Sequence, residues 1–158
     1  MLSSAAVCRS AQIPWQSPQI AIDYKQAEER GYDSTLDYEI FYQGNSEQTG
    51  SLTIGRSGFV KLTDLDSDGT AEIVVQNFSG GAHCCTNHTV YSWANDELIE
   101  TDTGYLDGFG GEFRDLNGDG LSEFVSVDNS FLYRFSSYAG SYPPPRILTL
   151  REGALVVS

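Results

Sequence analysis

Two short acidic segments carry the residues whose types and spacing could do chemistry. Residues 64–72 read DLDSDGTAE and residues 115–123 read DLNGDGLSE. In both, oxygen donors occupy positions one, three, five and nine, and a glycine at position six permits the sharp turn that lets them converge. Calcium takes roughly six to eight oxygen ligands, and the backbone carbonyl at position seven would add another. We therefore predict two Ca²⁺ sites. The predicted ligands are Asp64, Asp66, Asp68, Thr70 and Glu72 in the first segment and Asp115, Asn117, Asp119, Leu121 and Glu123 in the second.

The two segments differ from EF-hands, which need a bidentate glutamate at position twelve and a helix on each side. Position twelve is Val75 in the first segment and Ser126 in the second, and both flanks have the composition of strands. The alternative interpretation is a pair of Asp/Gly-rich turns that bind no metal. Four carboxylates within the first loop would repel one another strongly without a cation, which favours the metal interpretation.

The acidic segments belong to an internal repeat that indicates the fold class. Residues 60–75 and 112–127 align on their first aspartates, 51 residues apart, and each unit is a strand, an acidic loop and a second strand. This spacing fits one four-stranded propeller blade, but two units cannot close a ring of at least about four blades. We predict a mainly β fold with two blade-like antiparallel sheets, as an incomplete propeller or a β-sandwich.

The predicted strands follow the runs of β-branched and aromatic residues between glycines and turns. They cover residues 36–42, 51–54, 58–62, 71–78, 89–93, 123–127, 131–135, 147–150 and 154–157, and the last two form a hairpin through Glu152 and Gly153. A lead-in of residues 1–35 precedes a single β-domain of residues 36–158, whose repeats span about 58–107 and 108–158. The lead-in holds one candidate helix, at residues 23–30, and is expected to lie along an open sheet edge.

The pattern D-x-[DN]-x-D-G-x-x-[DE] between two strands resembles the calcium loops of FG-GAP and VCBS-type repeats, which build blades in integrin α-chain-like propellers. The match is closest over residues 108–127 and covers about residues 58–158. The resemblance implies a calcium-loop β architecture in secreted or surface proteins and names no activity. The family usually has aspartate at position nine, where this chain has Glu72 and Glu123.

A second group of donors lies in residues 79–88, which read SGGAHCCTNH. Its imidazole and thiol groups are ligands that zinc and copper favour, although their spacing fits no zinc pattern. Other interpretations stay open: a disulfide between Cys84 and Cys8, a disulfide between adjacent Cys84 and Cys85, simple burial, or a catalytic thiol. The candidates for this second metal or disulfide site are Cys8, His83, Cys84, Cys85 and His88.

Charge and composition exclude several classes of partner. The formal net charge is −13 and the pI about 4.2, with no basic stripe, which argues against nucleic acid and anionic lipid as partners. No apolar run approaches the roughly 20 residues that span a bilayer. The first residues, MLSSAAVC, resemble the small-residue end of a signal peptide, so we expect an extracytoplasmic location: periplasmic, secreted or on the cell surface.

These observations favour a calcium-binding β-repeat module with a structural role or a protein or glycan partner, and with assembly into oligomers or larger complexes as an option. The surface aromatics Tyr133, Phe135, Tyr138 and Tyr142 are a candidate contact. One alternative is a transition-metal or redox protein centred on residues 83–88. The other is a secreted hydrolase with a calcium-stabilised fold, which is disfavoured because no catalytic set is recognisable outside that cluster.

Overall fold

Three antiparallel sheets, each built from strands that follow one another in sequence, form the protein. The computed structural model describes residues 6–7, 18–25, 34–54, 58–78, 84–107 and 110–158. Sheet A contains β1 Ala6–Val7, β2 Gln19–Lys25, β3 Ser34–Tyr42 and β4 Asn45–Ile54. Sheet B contains β5 Phe59–Thr63, β6 Glu72–Phe78, β7 Cys84–Ala94, β8 Glu97–Asp102 and β9 Leu106–Asp107. Sheet C contains β10 Glu112–Arg114, β11 Glu123–Val127, β12 Pro145–Arg151 and β13 Ala154–Val157.

Within each sheet the strands pair in chain order, as in a meander. Sheet A has the order β1-β2-β3-β4, sheet B the order β5-β6-β7-β8, and sheet C the order β10-β11-β12-β13, while β9 pairs with β7. All of these pairings are antiparallel. The predicted mainly β, antiparallel fold class is therefore confirmed, and the structure adds a third sheet to the two that the sequence predicted.

The sheets stack in the order A, B, C because β6 is apolar on both of its faces. Ile73 and Val75 belong to a cluster with the buried residues of sheet A, among them Leu36 and Ile40. Val74, which alternates to the opposite face, packs with Leu150 of sheet C. A strand that is covered on both sides reads as a continuous apolar run, and this explains the sequence EIVV at the start of β6.

Several predicted strands agree with the structure closely. Residues 123–127 and 154–157 match β11 and β13, and residues 71–78 match β6 to within one residue at its start. The last hairpin also forms as predicted. Glu152 and Gly153 have φ angles of 51° and 79°, as the tight turns that join twisted antiparallel strands require.

Two predictions along the chain are wrong. The candidate helix at residues 23–30 fails at its start, because Asp23 to Lys25 pair with β3 at the end of β2; residues 26–30 lie outside the described residues. Residues 131–135 form no strand: Asp128 accepts the N–H of Ser130 and begins a 3-10 helix at Asn129–Phe131. A second 3-10 helix, Tyr138–Gly140, follows before β12.

The predicted lead-in contributes to sheet A rather than lying beside a finished sheet. β2 pairs with β3 over seven residues and supplies Ile20 and Ile22 to the core between sheets A and B. Two further parts of the lead-in are paired: Ala6–Val7 with β2, and Ser34 and Thr35 as the first residues of β3. Among the described residues, none of the helices has the length and apolar character needed to traverse a lipid bilayer.

Candidate metal centre

The first acidic loop connects β5 to β6 and is held by its own carboxylates. Asp64 Oδ2 accepts the N–H of Gly69 at 3.1 Å, and Asp66 Oδ1 accepts that of Asp68 at 3.3 Å. Across the base of the loop, the N–H of Leu65 donates to Glu72 Oε2 at 2.7 Å. Gly69 has a φ of 92°, so the glycine at position six is required by the backbone, as predicted.

These hydrogen bonds bring three carboxylates together. One oxygen from each of Asp64, Asp66 and Glu72 lies within 4.8 Å of the other two. Asp64 is exposed, Asp66 is half-buried and Glu72 is 2% exposed, so the group runs from the surface to the edge of the core. A hard cation that bridges oxygens 2.3 to about 2.6 Å away would fit a cluster of this size.

Burial and mutual repulsion both disfavour charge on this cluster. Burial, together with the nearby carboxylates of Asp66, Asp68 and Asp64, raises the pKa of Glu72 to about 8, against the opposing effect of the hydrogen bond from the N–H of Leu65. Burial also raises the pKa of Asp66, again with help from Asp68. A bound cation would reverse the balance, because it stabilises the ionised carboxylates.

The second acidic loop, between β10 and β11, repeats the same hydrogen-bond scheme. Asp115 Oδ2 accepts the N–H of Gly120 at 2.9 Å, and the N–H of Leu116 donates to Glu123 Oε2 at 3.0 Å. Asn117 Oδ1 accepts the N–H of Asp119 at 2.9 Å. Each bond has its counterpart 51 residues earlier, so the repeat seen in the sequence is a repeat of backbone structure.

The second loop differs from the first in how its carboxylates are used. Both oxygens of Asp115 accept backbone N–H groups, Oδ1 from Gly118 at 2.6 Å and Oδ2 from Gly120. These two N–H groups hold the pKa of Asp115 below its ordinary value. Asn117 Nδ2 donates to Asp119 Oδ2 at 2.9 Å. In the part of the chain that the structure describes, Asp115, Asp119 and Glu123 form no group like the first-loop triad.

Sheet C covers the first loop and accounts for its burial. The N–H of Ser122 donates to the carbonyl of Leu65 at 2.7 Å, and Ser67 Oγ donates to the carbonyl of Gly120 at 2.6 Å. Leu65 is 1% exposed and packs with Leu150 of β12. The second acidic loop thus lies directly against the first.

Of the ten predicted ligands, the structure brings three close together: Asp64, Asp66 and Glu72. Asp68 lies beside them and uses Oδ1 to accept the N–H of Thr70 at 2.6 Å. Position four of both loops also has a positive φ angle, 60° at Ser67 and 79° at Gly118, which was not predicted. The glycine at position four of the second loop was the available signal, because glycine adopts this conformation more readily than residues with a side chain.

The predicted histidine–cysteine cluster does not form a metal site among its described members. Cys85 is disulfide-bonded and so offers no free thiolate. The chain has three cysteines, so the partner is Cys8 or Cys84, and the pairing of Cys84 with Cys8 is excluded. The side chains of these two cysteines, and all of His83, lie outside the described residues.

His88 is a core residue at the contact between sheets B and C. Its ring is 2% exposed and lies edge-on to Phe124, with ring centroids 4.9 Å apart. Nε2 contacts Gln76 Oε1 at 2.9 Å, while Nδ1 is buried and has no hydrogen-bond partner among the described residues. Burial lowers the pKa of His88 to about 4, despite the nearby charge of Asp102.

We expect His88 to stay neutral throughout the physiological pH range. Its lowered pKa destabilises the native state as pH falls from 6.5 towards 4, because the unfolded chain then binds the proton first. NMR titration of the imidazole Cε1–H resonances measures this directly, with His88→Gln assigning the signal against that of His83. A His88 midpoint near 6.5 would contradict the buried, neutral ring.

Comparison with known proteins gives relatives of this chain but no family assignment. No family model matches, and no solved structure matches. The chain is 34% identical over 142 residues to the "Probable thylakoid lumen protein sll0997" of Synechocystis sp., a match that covers 86% of this chain and 42% of that protein. It is 38% identical over 98 residues to "Uncharacterized protein y4bJ" of Sinorhizobium fredii, covering 61% of this chain and 16% of that protein. The chain therefore spans less than half the length of these curated relatives.

Proposed function

We propose that this chain is a calcium-stabilised β-repeat module with a structural or binding role outside the cytoplasm. The proposal rests on one observation: carboxylate oxygens of Asp64, Asp66 and Glu72 lie within 4.8 Å of one another. Carboxylates so close together, with one of them buried, are unfavourable unless protons or a cation compensate their charge. Calcium is the cation we propose, because all the donors are oxygens and calcium accepts oxygen ligands in irregular geometries.

The loop hydrogen bonds leave oxygens available for such an ion. Asp64, Asp66 and Glu72 each commit one oxygen to a backbone N–H group: Oδ2, Oδ1 and Oε2 respectively. The other carboxylate oxygens, which take no part in these bonds, would coordinate the cation. Asp68 and the carbonyl of Thr70 would complete the first site. We place a weaker second ion at Asp115, Asn117, Asp119, the carbonyl of Leu121 and Glu123, whose carboxylates must first rearrange.

Two observations support an extracytoplasmic location. The disulfide at Cys85 suits an oxidising compartment, where such bonds persist. A relative that aligns with most of this chain is named as a probable thylakoid lumen protein. The resemblance to FG-GAP and VCBS-type repeats points the same way, and the stacked antiparallel meanders, two of four strands and one of five, are consistent with blades of that kind.

A calcium titration of the metal-free chain tests the proposal. Isothermal calorimetry should show binding at roughly 10⁻⁴ to 10⁻³ M, in the range of extracellular modules. Asp66→Asn should abolish the tighter phase or weaken it by about tenfold or more, because it removes one charge while Oδ1 can still accept the N–H of Asp68.

The matched control is Asp96→Asn, the same substitution in the exposed turn between β7 and β8. Asp96 has a φ of 63°, which asparagine tolerates, so this variant should bind calcium like the parent chain. Asp119→Asn should remove only the weaker phase. Absence of calcium heat in the parent chain, or equal binding by Asp66→Asn and Asp96→Asn, would refute the proposal.

A further inference from the structure

The two repeats occupy equivalent positions in their sheets but not in the stack. The Val74–Val90 pair of β6 and β7 corresponds to the Val125–Ile147 pair of β11 and β12. The first pair faces sheet C and is 3% and 0% exposed. The second pair, on the face of sheet C that points away from sheet B, is only half-buried. The structure therefore contains one covered and one uncovered copy of the same face.

The acidic loops show the same difference. Leu65, at position two of the first loop, is 1% exposed, whereas Leu116, at position two of the second, is 47% exposed. The carbonyl of Leu65 accepts the N–H of Ser122 from the following unit, and Leu116 is the equivalent position one unit later. The second loop thus lacks the cover that buries the first.

The uncovered face carries a group of apolar side chains beside the buried polar pair Glu123 and Thr149. We define the outer face of sheet C by Leu116, Val125, Val127, Ile147 and Val156, of which Val156 is 40% exposed. A shallow pocket of about 480 Å³, lined in part by Gly111, Val125 and Val127, lies at one side of it. Opposite charges on Glu112 and Arg114, paired at 2.9 Å, border it on β10.

The opposite end of the stack does not match this face. The side of sheet A that points away from sheet B carries Asp23, Lys25 and Asp37, which form ion pairs at 3.5 and 3.7 Å. A charged surface of this kind cannot replace the apolar face that sheet C presents to sheet B. Head-to-tail stacking of copies of this chain would therefore bury charge against Val125 and Ile147, which is unfavourable.

We propose that the outer face of sheet C is the docking surface for a partner of one kind, a further four-stranded unit of the same repeat. Such a unit continues an interface already present, because each sheet is followed in chain order by the one that covers it. It would present apolar side chains like those of Phe113, Leu150 and Leu155, and its loop N–H would donate to the carbonyl of Leu116. The 51-residue period sets its length. The proposal rests on packing and is independent of calcium.

The test extends the full chain with a second copy of residues 108–158, which is one repeat period. We expect amide hydrogen exchange across residues 116–127 to slow by about tenfold or more relative to the parent chain, in chelator as well as in calcium. Val125→Lys in the original sheet should abolish that protection. Should Val125→Lys fail to fold, Val156→Lys supplies the same test from a more exposed position.

Two further controls make the outcomes distinct. In one, the added copy carries serine at its counterpart of Leu150, which should restore fast exchange while the original chain stays folded. In the other, sedimentation velocity follows the parent chain over a wide concentration range. An extension that stays unfolded, or that folds without protecting residues 116–127, overturns the proposal. So does a dimer of the parent chain that Val125→Lys dissociates, since a second copy would then be the occupant.

Discussion

In the presence of a chelator, the free energy of unfolding is expected to fall by roughly 1.5 kcal/mol between pH 6.5 and pH 8. The cause is Glu72, whose pKa is about 8 in the native state and 4.5 in the unfolded chain. A group with a raised native pKa stabilises the fold fully below its unfolded pKa, and that stability is lost as pH rises through the native value. Measurements above pH 6.5 isolate the effect of Glu72. His88 changes stability in the opposite direction, but only between about pH 4 and pH 6.5.

Saturating calcium should remove or reverse this slope. The cation binds the ionised carboxylate and competes with protons for it. Deprotonation of Glu72 at higher pH therefore no longer lowers the free energy of unfolding. Urea unfolding at a series of pH values, with and without calcium, measures both slopes. Glu72→Gln should flatten the profile in chelator, while Glu97→Gln, an exposed control on β8, should keep it. A flat profile for the parent chain, or a slope that survives in Glu72→Gln, would exclude Glu72 as the group responsible.

The sequence predicted the sheets best where a strand is covered on one or both faces. β6, β11 and β13 were found nearly to the residue because their apolar runs are bounded by an acidic loop or a tight turn. Strand composition misled at residues 131–135, where aromatic residues suggested β structure. Those rings lie largely in solvent, and Phe135 is 81% exposed, so no sheet face selects an extended conformation there.

The carboxylate cluster of the first loop was predictable in its members but not in its geometry. The spacing of the oxygen donors identifies both loops and does not distinguish one from the other. The difference arises from tertiary packing: Ser122 and Gly120 bond to the first loop, and no described segment does the same for the second. For the same reason the sequence could not show that His88 is a core residue, since Phe113 and Phe124 come from another sheet.

Phe124→Ala should destabilise the fold more than any other substitution considered above, by about 3–5 kcal/mol. Phe124 is 0% exposed, and its ring contacts His88 of sheet B and Phe113 of its own sheet at centroid distances of 4.9 and 5.0 Å. Truncation would leave a cavity at the contact between sheets B and C, beside a histidine nitrogen that already has no partner among the described residues. Chemical denaturation of the chelated protein measures the loss without a contribution from calcium.

The control is Phe135→Ala, the same truncation at a ring that is 81% exposed, and it should change stability by no more than about 0.5 kcal/mol. The pair also tests how the carboxylate cluster of the first loop is held together. If sheet C buries the first loop, as the hydrogen bond between Ser122 and Leu65 indicates, Phe124→Ala should loosen that cover. The substitution should then weaken calcium binding at Asp64, Asp66 and Glu72. A Phe124→Ala variant that unfolds like Phe135→Ala would contradict the packing of sheet B on sheet C. One that loses stability but binds calcium unchanged would show that the first loop holds its carboxylates together without help from its neighbour.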